Sequence, residues 1–183
     1  MITKQEFEKL MDFFQINEAD FFLQENHYFD TPAFKLKENG SALRIRKKNN
    51  EYELTLKQPH ADGLLETNEN MSILEAEQMF RGEKLNNKTI HSLITEMNID
   101  PQKIQYFGSL TTKRAEIEYE QGLIVLDHSW YLNNEDFELE YEVRNKEAGQ
   151  KVFIALLENL QIPLRKTENK IKRFYKEKYK APL

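Results

Sequence analysis

The sequence predicts an α+β fold in a single domain, residues 1–183, built mainly from antiparallel strands. Three observations predict it. Segments of period-two alternation come in pairs joined by short polar turns, the pattern of hairpins. Helical apolar stripes with capping signals stand before, between and after those pairs. No repeat, low-complexity tract or linker divides the chain, and its length suits one core.

In chain order, Thr3 and Glu6 have capping-box spacing, with Ile2 and Phe7 at the hydrophobic-staple positions. Phe7, Leu10, Met11 and Phe14 follow as one stripe, so a helix starts almost at once. Phe21 to Phe29 is aromatic and strand-like, and Asp30-Thr31-Pro32 ends it with turn chemistry. A short polar link through Asn39-Gly40 leads to a hairpin, Ser41 to Pro59, turning at Asn49-Asn50. His60 to Gly63 reads as a turn and Leu64 to Glu69 as a brief strand. Ser72 and Glu75 repeat the capping-box spacing before a helix to about Phe80, and another helix covers Asn87 to Met97.

Leu110 to Tyr119 and Leu123 to Trp130 form a second hairpin around Glu120-Gln121-Gly122, and Phe137 to Arg144 alternates cleanly. A helix from Lys146 to Leu160 stops before Pro163, and a basic, helical tail runs from Thr167 with Ile171, Phe174 and Tyr175 on its apolar side. Six or seven strands are enough for a twisted sheet to close on itself.

Composition narrows the chemistry. The absence of cysteine excludes disulfides, thiolate metal sites and cysteine nucleophiles. The four histidines show no metal-ligand spacing, so any metal is held by oxygen: magnesium, manganese or calcium. A net charge of −5 argues against nucleic acid as a partner, and no run is apolar enough to span a membrane. With no targeting segment evident, the cytoplasm is the expected location. No phosphate-binding glycine loop and no nucleophile elbow occurs.

The charge is patterned. Arg44-x-Arg46, Glu53-x-Thr55-x-Lys57, Arg114-x-Glu116-x-Glu118 and Glu138-x-Glu140-x-Glu142 each put charge on one strand face. A solvated face explains any one of them. Amphipathic helices, however, must cover the apolar faces, and three glutamates in a row repel unless cations hold them. Lysines across the strand or an oxygen-ligated metal would do so, and such a metal beside arginines is equipment for phosphate chemistry.

Six fragments in order, His27–Pro32, Leu43–Lys48, Glu53–Pro59, Thr111–Tyr119, Leu126–Tyr131 and Phe137–Val143, resemble the CYTH superfamily, the triphosphate tunnel metalloenzymes. The resemblance implies an antiparallel β-barrel with helices packed outside and a charged tunnel that binds a triphosphate-containing small molecule with Mg²⁺ or Mn²⁺. It implies that Arg44, Arg46, Lys57, Arg114, Lys170 and Arg173 bind phosphate, with Lys57, Arg114 and Lys170 as the catalytic cations. It assigns metal to Glu138, Glu140, Asp127 and Glu66, with Glu53 as an orienting carboxylate.

The family's N-terminal E-x-E-x-K strand has no counterpart before Thr3; Glu6, Glu8 and Lys9 have the wrong spacing and fall on a helix. The expectation is a sheet one strand short, with an unpaired edge. The implied activity is metal-dependent hydrolysis of an inorganic or organic triphosphate. Adenylate cyclase chemistry and a catalytically inactive triphosphate-binding module are the alternatives.

Overall fold

The structure, a computed structural model, describes residues 1–61 and 63–180. The described residues are α+β, with seven strands and six helices, and they form two compact units: Gln24–Leu110, and Met1–Leu23 with Thr111–Leu183.

The unit Gln24–Leu110 contains most of β1 (Phe22–Asp30), then α2 (Lys35–Glu38), β2 (Ala42–Lys48), β3 (Glu51–His60), β4 (Gly63–Met71), α3 (Ile73–Phe80) and α4 (Lys88–Glu96). Its strand order is β4-β3-β2-β1, and these neighbours pair antiparallel. Asn49 and Asn50 both have positive φ, 49° and 64°, the left-handed pair that a two-residue hairpin turn requires. Asparagine tolerates that conformation better than most residues. The turn expected at His60–Gly63 includes residue 62, outside the described residues.

Leu43, Ile45, Leu54 and Leu56 are fully buried on one face of this sheet, in a cluster with Ala76 and Met79 of α3 and Ile90 and Ile94 of α4. The helices therefore claim the apolar face, as the alternation demanded. The short helix α2 replaces the polar link expected there. Asp30 organises it: its buried carboxylate accepts from the amides of Thr31, Leu36 and Lys37, at 2.7, 2.9 and 3.1 Å. One side chain thus satisfies backbone donors that so short a helix leaves open.

The other unit holds α1 (Lys4–Phe14), most of β5 (Gln105–Tyr119), β6 (Gly122–Tyr131), β7 (Asn134–Val143), α5 (Lys146–Asn159) and α6 (Lys170–Lys180). β5, β6 and β7 pair antiparallel in sequence order, and β7 ends the series. On its outer side β7 carries, among the described residues, a single bridge, Ile2 to Phe137, with the Ile2 amide 3.0 Å from the Phe137 carbonyl. Phe7 and Leu10 of α1, and Leu156 and Leu157 of α5, pack with Ala115, Ile124, Leu126, Phe137 and Leu139. β5 starts five residues earlier than the alternation suggests. The capping boxes at Thr3 and Ser72 form as the sequence indicates.

Two contacts lock this unit. Gly149 of α5 lies so close to Val143 that an added Cβ would stand 2.4 Å from a Val143 methyl. Glu6 of α1, while closing its capping box, also takes a bidentate grip from Arg165, at 2.7 and 2.8 Å. Gly149→Ala is expected to lower the urea midpoint. Overpacking costs roughly 1–3 kcal/mol, more than the helix propensity gain of about 1 kcal/mol; an unchanged or higher midpoint would contradict this contact. The Arg165 hydrogen bonds hold the Glu6 carboxyl at about 2, against an ordinary 4.5. A depressed pKa gives stability that is complete above the ordinary value and is lost as pH falls through the folded one. The stability gap between the wild type and Glu6→Gln should therefore close as pH drops from about 5 to about 2, as denaturant titrations at each pH would show.

Candidate active site

The register of the last three strands aligns a row of charge. Arg114 lies opposite Asp127, and Asp127 opposite Glu138; the row of Thr112, Ser129 and Asp136 flanks it on one side, and the row of Glu116, Val125 and Glu140 on the other. Period-two geometry puts these on the face opposite the α1–α5 core. One oxygen from each of Asp127, Glu138 and Glu140 lies within 4.8 Å of the others. Asp127 is wholly buried, Glu138 nearly so, and Glu140 half-open.

Cations fill this acidic face. Arg114 Nε and Nη2 each donate to one Asp127 oxygen at 2.7 Å, a bidentate fork only arginine can form. Lys170, the first residue of α6, places Nζ 2.5 Å from Asp127, 2.6 Å from Glu138 and 3.1 Å from Glu140. One helical turn on, Arg173 donates to Asp136 and Glu138, both at 2.9 Å. Burial favours the neutral form of Asp127 and Glu138. The cations more than offset it, Arg114 and Lys170 at Asp127, Lys170 and Arg173 at Glu138, so both carboxyls stay below the usual range. Burial likewise works against charge on Lys170, but Asp127, Glu140 and Glu138 raise its pKa above that of an ordinary lysine. Tyr131, half-buried and donating to Asp136, is pushed up to about 12. Six of the ten expected site residues, Arg114, Asp127, Glu138, Glu140, Lys170 and Arg173, thus meet in one network, where the sequence pattern offered separate strands.

The donor set is oxygen only, which suits a hard divalent ion such as magnesium or manganese. The Lys170 ammonium seated among all three carboxylates shows that the space between them accepts a cation.

The unit Gln24–Leu110 carries the remaining expected residues. Arg44 pairs with Thr55 in register, and Arg46 with Glu53, on the face away from the α3–α4 core. Lys57 lies beside Glu66 at 2.5 Å, so Glu66 serves here as the partner of a lysine. Burial lowers the Lys57 pKa, with Arg44 and Arg46 adding to the effect and Glu66 opposing it. Arg46 donates through Nε to the buried Asn26 at 3.2 Å. Arg44 stands out: it is 8% exposed, its one hydrogen bond among the described residues is to the Thr55 hydroxyl at 3.3 Å, and its Nε has no partner. A buried guanidinium without a carboxylate is costly unless an anion completes it.

Three residues of these networks escape the sequence reading. Asp136 extends the Glu138 alternation by one step and would appear once the strand is begun one residue earlier than Phe137. Asn26 and Thr55 emerge only from cross-strand register. His27, within the His27–Pro32 fragment, packs on Phe80 on the core face, ring centroids 4.3 Å apart and tilted by 35°, and takes no part.

Comparison with known proteins closes the question of kinship. A family model described as CYTH domain matches residues 1–175. YjbK of Bacillus subtilis (strain 168), provisionally named a triphosphatase, is 49% identical over 181 residues, covering 99% of this chain and 94% of that protein. A crystal structure from Bacillus halodurans, provisionally described as an adenylate cyclase, is 42% identical with a TM-score of 0.91, over 96% of this chain and 94% of that one. HpAC1 from Hippeastrum, described as having a dominant triphosphatase activity, shares the fold at 22% identity and a TM-score of 0.82, over 96% and 91% of the two chains. The chain belongs to the CYTH domain family.

Proposed function

We propose that this protein hydrolyses a triphosphate, inorganic or organic, with a magnesium or manganese ion held by Asp127, Glu138 and Glu140. The observation that carries the reading is the cluster of those three carboxylates, all-oxygen and already seating a cation. The kinship with YjbK supports the reaction class.

A divalent ion there supplies Lewis acidity toward a phosphoryl oxygen and lowers the pKa of a bound water. The remaining roles belong to this chain's side chains. Arg44, buried and with a free Nε, is set to donate to phosphoryl oxygens, and Arg46 and Lys57 add charge on the same strand face. Fixed cations of this kind stabilise the charge that builds on the departing phosphate at no cost in reorganisation. Arg114 spends both ends of its fork on Asp127, so its role is to hold that carboxylate charged and oriented. Among the described residues no side chain is placed as a nucleophile, so direct attack by water is the expected route.

The Bacillus halodurans relative gives a second reading, cyclisation of ATP, which differs in product: cyclic nucleotide and pyrophosphate rather than orthophosphate.

The test is phosphate release from tripolyphosphate with Mg²⁺ or Mn²⁺. Arg44→Met should lose about 100-fold or more in rate, the scale of removing one charge-stabilising donor. It should also unfold no more easily than the wild type, because it removes a buried charge that lacks an ion-pair partner. Asp127→Asn should lose activity and roughly 3–5 kcal/mol of stability, since it strips Arg114 and Lys170 of their shared partner. The proposal fails if neither metal supports release, or if Arg44→Met releases phosphate at the wild-type rate.

A further inference from the structure

We propose that Lys170 is a tethered cation that competes with the divalent ion for the carboxylate cluster, so that α6 sets how tightly the protein binds metal; this rests on the metal-holding role proposed for Asp127, Glu138 and Glu140. Lys170 Nζ is within hydrogen-bond reach of all three carboxylates. An ion bound by the same three groups sits about 2.0–2.2 Å from each oxygen, so the ammonium and the ion need the same space. Two cations cannot share it. Metal loading therefore requires Lys170 to withdraw.

The surrounding structure makes withdrawal local. Lys170 opens α6, preceded by residues 163–169, which have no regular secondary structure. The first turn of α6 has no acidic residue and carries Lys170, Lys172 and Arg173, the charge sign that a helix N-terminus disfavours. Asp127, Asp136, Glu138 and Glu140 compensate through their contacts with Lys170 and Arg173. Arg173 keeps Asp136, which lies outside the three-carboxylate cluster, and so retains an anchor when Lys170 leaves. Once displaced, Lys170 is an uncompensated ammonium next to the cluster. A bound oxyanion would complete it, so anion and metal binding should each favour the other.

The test uses the full chain and Mn²⁺ alone, with binding followed by electron paramagnetic resonance and amide hydrogen exchange read in parallel. Lys170→Met should bind Mn²⁺ about tenfold more tightly than the wild type, for loss of a competing unit charge. Lys170→Arg should bind no more tightly than the wild type, and Lys176→Gln, which loses only an exposed pair with Glu168, should match it. In the wild type, saturating Mn²⁺ should remove exchange protection from the first turn of α6. Equal or weaker Mn²⁺ binding by folded Lys170→Met overturns the proposal, as does unchanged α6 protection in the metal-saturated wild type. Mn²⁺ binding that is absent from every form, or that survives Glu138→Gln undiminished, overturns the metal-holding role itself and this proposal with it.

Discussion

The complete burial of Asp127 is the constraint on which the acidic unit depends. A carboxylate withdrawn from water must be matched by charge at short range, and a single partner would leave lone pairs unmet. Here a guanidinium from β5 meets both oxygens and an ammonium from α6 adds a second donor to one of them, Oδ2. That requirement ties α6 to β6, the strand that lies between β5 and β7. It also explains why α6, unlike α1 and α5, sends cations to the charged side of the strands: its apolar residues do not fix its position alone.

The cationic face of the other unit follows the opposite logic. Lys57 is matched by Glu66, and Arg46 leans on an amide, but Arg44 is sealed in with only a hydroxyl. Folding stability gains nothing from that arrangement; the proposed binding of phosphate would. A site that must take an anion cannot neutralise itself in advance, and the proposed phosphate role of Arg44 accounts for its deficit. The acidic face shows the reverse: its charges are satisfied internally by Arg114, Lys170 and Arg173.

Much of this was legible in the sequence, because period-two alternation and capping spacing are local signals. The faces carrying Arg44, Arg46, Glu138 and Glu140 could be read directly, and so could the helices at Thr3, Ser72 and Lys146. What could not be read was distance. Lys170 and Asp127 are 43 residues apart, and nothing in either neighbourhood specifies the other. The role of Glu66 likewise turned on register, which sets it beside Lys57. The Asp30-Thr31-Pro32 motif was seen as a turn and proved to be a scaffold, because a carboxylate that binds three amides looks in sequence like any loop aspartate.

One feature of the chain's layout bears on its synthesis. The unit Gln24–Leu110 is continuous, while the other joins the first 23 residues to the last 73. On a ribosome, the continuous unit has its whole core available once Leu110 is clear. The other must keep Phe7 and Leu10 waiting until β6, β7 and α5 exist, and cannot complete Asp127 until Lys170 has emerged. Closing so long a loop costs entropy before any contact repays it. The newborn helix α1 therefore keeps its apolar stripe uncovered until β6, β7 and α5 have been made, and the acidic face is neutralised only after α6 emerges.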